Sequence, residues 1–356
     1  MGKRVLVVTS SPPFAEGGHM VIARELVRAC RAAGHQADVL VTPQNRFGRQ
    51  GAAYLATWLT DVGLAADGGP VDHVVSLRYP SYAVRHPSHT CWLNHTMREY
   101  YDLWGRFSAG LSWKNRVKEG LRRRAIHAVD RRLLTSNVGR LLAQSTTVQG
   151  RLARWGGLRA DVLHPPPPAR PYRCDRYGDY VFAVSRLTPL KRFDLLLEAL
   201  AHPAAAGVKA VIAGDGESRD ALLAQRRALG LEDRVQFVGR LSEDALVAHY
   251  AACRAVAFVP HDEDYGFVTA EAFAAGKAVV TCADSGGPTD LVSDGVTGRV
   301  VAPTAAAIAG ALAELTGDPA QAERLGAAAL ARVAALTWPI TVEALLHPAG
   351  RPRPAV

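Results

Sequence analysis

The sequence predicts an α/β protein built from two Rossmann-like domains facing each other across a cleft. Three observations predict it. Short apolar runs alternate with helix-period segments through both halves of the chain. Four successive prolines, Pro165 to Pro168, interrupt the pattern near its middle. The glycines and charged residues that suit ligand binding cluster in the loops that follow the apolar runs, where open α/β sheets hold their ligands.

The elements follow in order. Residues 4–9 form a short apolar strand, ended by Ser10-Ser-Pro-Pro and then Gly17-Gly18. Ile22, Leu26, Ala29, Cys30 and Ala33 recur at helical spacing, with Gly34 as the stop. Strands are predicted at 37–41, 73–77, 90–93 and 140–144. The proline segment 165–172 reads as a stiff extended linker. It sets an N-terminal domain at 1–167 and a C-terminal domain at 168–337, with 338–356 folding back onto the first. In the second domain strands are predicted at 180–184, 210–213, 235–238, 255–259 and 278–281. Helices are predicted at 193–200, around Leu222–Leu229, and at 243–252, 268–275, 305–315 and 321–336. The tail 348–356 is rich in proline, arginine and alanine and reads as frayed.

Composition narrows the class. With 48% hydrophobic and 21% charged residues among 356, the chain can fill a core and is not disordered. No uninterrupted run approaches the ~20 apolar residues a bilayer needs, so no spanning helix is expected. The apolar run at 5–8 is too short for a secretory leader. Five scattered cysteines, Cys30, Cys91, Cys174, Cys253 and Cys282, argue against a zinc site or disulfide framework and for a reducing cytoplasm. The net charge of +9 permits an anionic partner. Only six lysines stand among 42 basic residues, however, and this bias together with the alanine richness points to a GC-rich bacterial genome.

The densest chemistry lies in residues 261–271. Glu263 and Glu271 stand eight residues apart, the first in a loop and the second one turn into a helix. Gly266 lets backbone approach a ligand, and the amides of Gly266, Phe267 and Val268 would point at an anion. An acidic helix start stabilised by its dipole is the plainer account of the same carboxylates. Arg186 and Lys191 emerge after the strand at 180–184. Two cations at a helix N-terminus oppose its dipole, which favours an anion held between them. Gly17-Gly18 and Gly214-Asp-Gly216 follow strands but complete no dinucleotide fingerprint. Ser285-Gly-Gly-Pro-Thr-Asp290 reads either as a ligand loop or as a turn before a helix capped by Thr289. His95 ends the strand at 90–93 and gains weight only from that position.

Taken in order, these segments resemble glycosyltransferase family 4, retaining enzymes of the GT-B fold. Glu263-x7-Glu271 with Gly266-Phe267 inside is similar to that family's E-x7-E signature, and Arg186 and Lys191 to its Arg-x4-Lys pair. Gly214-Asp-Gly-Glu217, Phe237-Val-Gly-Arg-Leu-Ser242, Ser285-Gly-Gly-Pro288, Gly17-Gly18 and Leu93-Asn-His-Thr96 resemble further family blocks. The resemblance implies a nucleotide-sugar donor and a hydroxyl acceptor, either a small natural product or a cell-envelope glycan or glycolipid. Arg186 and Lys191 would hold the diphosphate with help from the amides of Gly266, Phe267 and Val268. Glu271 would bind the ribose, Glu263 the sugar, and the backbone at Arg240-Leu241 the base. Gly18 would approach the phosphate or acceptor, and His95 would position the sugar or acceptor. Ser185, where the family often has glycine, and Thr289-Asp290 after the Gly-Gly-Pro depart from the pattern. Asp262-Glu-Asp264 spells a metal motif of the other glycosyltransferase fold but lies inside the E-x7-E frame. No cofactor and no obligatory metal are expected.

A sugar-nucleotide epimerase of the same fold is the alternative, and the combined Arg-x4-Lys and E-x7-E residues argue against it. Nucleic-acid binding has only the net charge behind it. The segment 114–132 reads as a basic helix with Val117, Leu121, Ile126 and Val129 interspersed. The simpler expectation is a solvated helix packed by that apolar stripe. Weak peripheral contact with the inner face of an anionic membrane is the other.

Overall fold

A computed structural model describes residues 2–14, 17–44 and 48–346. The expectations for the tail 348–356 fall outside those residues. Over the described residues the chain divides into two compact units, one within 2–165 together with 337–346, the other 166–336.

The first unit is a parallel sheet of β1 (Arg4–Ser11), β2 (Gln36–Pro43), β3 (His73–Ser76), β4 (His89–Leu93), β5 (Arg140–Ala143) and β6 (Asp161–Val162), in the order β2-β1-β3-β4-β5-β6. Val7, Val8, Val74, Val75, Cys91 and Trp92 are fully buried, as strands covered on both faces require. The helix Gly18–Ala32 follows β1 and buries Ile22, Leu26 and Cys30 against the sheet. The helix Trp338–Leu346 also packs in this unit, with Trp338 edge-on to Trp92. Its last carbonyls are met by cations: Lys3 Nζ donates to Leu346 O at 2.8 Å, and Arg140 donates to Ala344 O. Such donors satisfy orphan carbonyls and complement the helix dipole.

The second unit is a parallel sheet of β7 (Tyr180–Val184), β8 (Lys209–Ala213), β9 (Val235–Gly239), β10 (Ala255–Ala257), β11 (Val279–Cys282) and β12 (Gly298–Val301). Its order is β12-β11-β10-β7-β8-β9. Strand order therefore reverses between β7 and β10, whereas in the first unit it reverses between β1 and β3. At such a reversal the crossovers leave in opposite directions, and the loops at the strands' carboxyl ends stay uncovered.

Two expectations need correction. The helix Trp113–Ser136 is not packed by the stripe read from the sequence. Ile126 is buried, but Val117 is 58% and Leu121 60% exposed, and Val129 is also exposed. The buried face instead presents Glu119, Ile126, Asp130 and Leu134, since tyrosines distant in sequence feed its carboxylates. Tyr54, Tyr82 and Tyr101 all donate to Asp130, and Tyr100 donates to Glu119 at 2.7 Å. Second, Pro319–Leu346 is long and apolar enough, by composition, to cross a bilayer. It comprises two helices, however, Pro319–Val333 and Trp338–Leu346. The apolar residues of the first, such as Leu325 and Ala329, fill the second unit's core. Those of the second, such as Val342 and Leu345, are buried in the first unit.

Burial pushes the Asp130 carboxyl up to about 6, against the three hydroxyls that favour its charged form. A folded value above the unfolded one of ~3.9 means that Asp130 favours folding most below pH ~4. That contribution is lost as pH rises through about 6. Asp130→Asn should therefore flatten the stability profile between these limits. One proton accounts for a slope of at most ~1.4 kcal/mol per pH unit. Urea titrations of both proteins across that range check it, and identical slopes would remove the assignment.

Candidate functional site in the C-terminal unit

The loops after β7 and β10 leave the sheet at the reversal point. The first runs through Ser185–Thr188 into the 3-10 turn Pro189–Lys191, where proline at the first position presets the backbone. Arg192 then adopts the left-handed region with φ 52°, an unfavourable conformation for a residue with a Cβ. Its side chain supplies the compensation. Nε donates to Val259 O at 2.8 Å, Nη2 to Pro260 O at 2.6 Å, and the fork grips both oxygens of Asp284 at 2.7 and 2.8 Å. Burial works against the charged form of Asp284, but the Arg192 guanidinium outweighs it and holds the carboxyl below its usual range. His261 N also donates to Leu190 O at 2.8 Å. Arg192 thus ties the loops after β7, β10 and β11 together. The sequence reading missed it, although an arginine directly after the Arg-x4-Lys pair was visible.

This tie brings Lys191 and Glu263 into direct contact. Lys191 Nζ donates to Glu263 Oε2, with the two side chains 16% and 18% exposed, and the ammonium lies 5.5 Å from the Phe258 ring centre. The Glu263 backbone is held in turn by the loop after β11. Glu263 N donates to Ser285 O at 2.8 Å, and Gly287 N to Glu263 O at 2.9 Å. Ser285-Gly-Gly-Pro thus acts as the backbone support of Glu263. Thr289 does not cap the following helix Pro288–Leu291. Gly287 holds the N-cap position, and the Thr289 hydroxyl, inside the helix, donates to Gly286 O at 2.8 Å.

The other expected residues fall as follows. Arg186 is exposed and enters no ion pair among the described residues. Beneath its loop lies Gly214, at φ 127°, where a Cβ would sit 1.8 Å from Ser185 O. Leu187 N donates to Asp215 O at 3.0 Å. Gly214 therefore shapes the Arg186 loop. Gly266, at φ 80°, caps the helix Phe267–Ala274, and a Cβ there would meet the Phe258 ring at 2.6 Å. Phe267 and Val268 open that helix half-buried, and its first amides have no intrahelical acceptor. Arg240 is exposed, its Nε 3.9 Å from Asp215, and Leu241 is half-buried.

Glu271 is buried and does not join the Lys191–Glu263 pair. Its carboxylate accepts from Arg170 Nη1 and, at 2.9 Å, from the Tyr250 hydroxyl. Burial works against the Arg170 charge, yet Glu271 beside it holds the guanidinium above its usual range. Burial, reinforced by Glu271, raises the Tyr250 hydroxyl well above its ordinary value. Arg170 lies in the proline-rich entry segment, which the sequence reading treated only as a linker.

Two expected residues lie in the N-terminal unit. Gly18 is exposed and opens the helix after β1. His95 follows β4, half-buried, with Nδ1 2.6 Å from Thr96 O and its own carbonyl accepting from Tyr79 N at 3.2 Å. It lines a cavity of about 20 Å³ with Tyr101, His127, Asp130 and Trp155, room for a single water.

Comparison with known proteins places this geometry. Residues 175–332 match the family model described as glycosyl transferases group 1. The chain is 35% identical over 206 residues to the D-inositol 3-phosphate glycosyltransferase of Frankia alni, covering 54% of this chain and 50% of that protein. It spans about half the length of the curated relatives it matches. Among solved structures it is similar to sucrose-phosphate synthase from Thermosynechococcus elongatus, with TM-score 0.74 and 19% identity over 95% of this chain and 96% of that one. It is also similar to Anabaena HepE, solved in complex with UDP and glucose, with TM-score 0.68 and 19% identity over 95% and 96% of the two chains. The chain thus has the GT-B fold, and its residues 175–332, which hold Arg186, Lys191 and the Glu263-x7-Glu271 pair, match the group 1 glycosyltransferases.

Proposed function

We propose that this chain is a retaining, metal-independent glycosyltransferase that moves a sugar from a nucleotide donor to an acceptor hydroxyl. The observation that carries the reading is the meeting of Lys191 with Glu263 at the sheet's reversal point, beside the Arg186 loop and the helix start at Gly266, all inside the segment that matches the family. Arg186 and Lys191 bind the donor diphosphate, together with the amides of Gly266, Phe267 and Val268. The lysine ammonium has three protons, so it can keep Glu263 while meeting a phosphate oxygen. Glu263 then lies where the sugar attached to that phosphate must be. Glu271 meets the ribose hydroxyls, and the backbone at Arg240-Leu241 meets the base. In the N-terminal unit, Gly18 and His95 serve the sugar and acceptor.

Chemistry follows from charge. Cleaving the glycosyl–phosphate bond leaves negative charge on the diphosphate and positive charge on the anomeric carbon. Fixed cations stabilise the first, typically by ~3 kcal/mol for one well-placed group. The departing phosphate oxygen takes the acceptor's proton, and the acceptor oxygen joins the same face that the diphosphate leaves, so configuration is retained. Two side-chain cations do the work a metal would do, so no metal is required. The Anabaena structure holds UDP and glucose, and the Frankia relative is named a D-inositol 3-phosphate glycosyltransferase, which supports glycosyl transfer from a nucleotide-sugar donor here. The acceptor is a small natural product or a cell-envelope glycan or glycolipid, and the reaction is cytoplasmic.

A second observation favours lipid contact. Trp113, Val117 and Leu121 are spaced four residues apart and are 72%, 58% and 60% exposed. Exposed Lys114, Arg116, Lys118 and Arg124 lie among them. Apolar side chains rimmed by cations suit the interface of an anionic bilayer. Cosedimentation with phosphatidylglycerol-containing vesicles should exceed that with phosphatidylcholine vesicles, and Trp113→Ser with Leu121→Ser should lower it. Equal binding to both vesicles removes the proposal.

Ligand, product and variant measurements test the main reading. In a thermal-shift screen with UDP-, GDP-, ADP- and dTDP-sugars, one base should raise the melting temperature. Incubation of that donor without acceptor should leave its sugar unchanged, whereas an epimerised donor would favour isomerisation. With acceptor, the product should keep the donor's anomeric configuration by NMR and form equally in EDTA. Lys191→Ala should lower kcat about 10²- to 10³-fold with the fold intact. Gly214→Ala should cost roughly 1–3 kcal/mol of stability by denaturant unfolding and weaken donor binding, because the Arg186 loop must shift to admit a Cβ. Wild-type stability and affinity in that variant would contradict the support assigned to Gly214.

A further inference from the structure

Glu271 is held by a residue outside every motif of the site. Arg170 stands in the extended entry segment, far from Glu271 in sequence, and the two side chains meet at 13% and 10% exposure. Its Nη1 bonds Glu271 Oε1 and the Tyr172 hydroxyl, the latter at 3.2 Å. Its Nη2 reaches Glu243 Oε1 at 3.3 Å. The guanidinium is therefore fixed on more than one side. Tyr250 donates to the other oxygen, Oε2, at 2.9 Å.

An ionised carboxylate offers about four acceptor positions. Here one on each oxygen is taken, by donors held in place by burial. The Tyr172 hydroxyl is a third neighbour of this carboxylate, which leaves one acceptor position for a ligand. That position suits a hydroxyl donor of a sugar ring. We propose that Arg170 is the positioning residue of the ribose subsite. It supplies the counter-charge beside buried Glu271 and fixes its rotation, so that the remaining position demands a hydroxyl. The site then selects ribonucleotides over 2′-deoxyribonucleotides, because a missing hydroxyl leaves a buried charged acceptor unpaired. The inference rests on the reading that Glu271 meets the donor ribose. Without Arg170 the carboxylate is free to turn about its terminal torsion, which has no sharp preference of its own, and the demand for a hydroxyl is lost.

The test is calorimetric binding of UDP, GDP and ADP, each paired with its 2′-deoxy analogue, to wild-type protein and to Arg170→Ala, Arg170→Gln and Arg170→Lys. Wild type should prefer one ribonucleoside diphosphate to its deoxy partner by about 10- to 100-fold. In Arg170→Ala the ribonucleotide should weaken at least tenfold and the deoxy analogue by less than threefold, so that the preference collapses. Arg170→Lys should recover part of it, since charge returns without the fork. Turnover should show KM for the donor raised and kcat within a few-fold of wild type. If Arg170→Ala fails to fold, Arg170→Gln carries the same comparison. Full ribo-over-deoxy preference in a folded Arg170→Ala or Arg170→Gln overturns the assignment alone. Equal binding of the pair by wild type does so as well. Failure of wild type to bind any of these diphosphates overturns the donor reading, and this inference with it.

Discussion

The site depends on the pairing of β7 with β10. Ala255 and Val256 lie beside Val181 and Phe182 in parallel register, although about seventy residues of chain separate the strands. From β7 the chain proceeds to one edge through β8 and β9; from β10 it proceeds to the other through β11 and β12. A parallel strand needs a crossover, and a crossover normally lies over the loop it leaves. The chain leaves β7 and β10 in opposite directions, so side chains from the two neighbouring loops can project into the same uncovered space. Lys191 and Glu263 meet because their strands are neighbours, and the buried valine, alanine and phenylalanine residues of those strands fix that register.

Loops so placed have little apolar surface to hold them, and the structure holds them with polar ties. Arg192 accepts a left-handed backbone and returns hydrogen bonds to two carbonyls and a carboxylate on neighbouring loops. Asp262 also takes a positive φ, and its amide donates to Asp284 O at 2.9 Å. Conformations of this kind persist only where surrounding contacts over-determine them. The benefit is rigidity at the atoms that must not move: an ammonium held against a carboxylate is oriented before any ligand arrives, so less reorganisation remains for binding.

Sequence reading recovered the strands that bury both faces, since a run such as Val5-Leu-Val-Val carries its own signal. It missed β6, which is two residues long, and β12, whose Gly298 fits only because a Cβ would strike Val279 O at 2.1 Å. It singled out Arg186, Lys191, Glu263 and Glu271 because short spacings survive in one dimension. It missed Arg192 and Arg170 because their partners, Asp284 and Glu271, lie about ninety and one hundred residues away. The misread stripe on Trp113–Ser136 has the same origin. Periodicity marks which residues could be buried, whereas the tyrosines that decided the matter for Asp130 come from three other segments.

Asp130 and Glu271, both buried, are held in contrasting ways. Asp130 accepts from three tyrosine hydroxyls, all neutral, and burial drives it toward protonation. Three of its roughly four acceptor positions are used by the protein itself, so little remains for a ligand. Glu271 is held by a donor that carries a full charge, and a guanidinium in a low-dielectric setting is worth more than added hydroxyls. A carboxylate stabilised by one strong cation, instead of several weak donors, keeps lone pairs in reserve. A buried acid meant only to tie helices and loops is best saturated. One meant to recognise hydroxyls is best neutralised with as few contacts as possible, and a fixed arginine does this with a single contact.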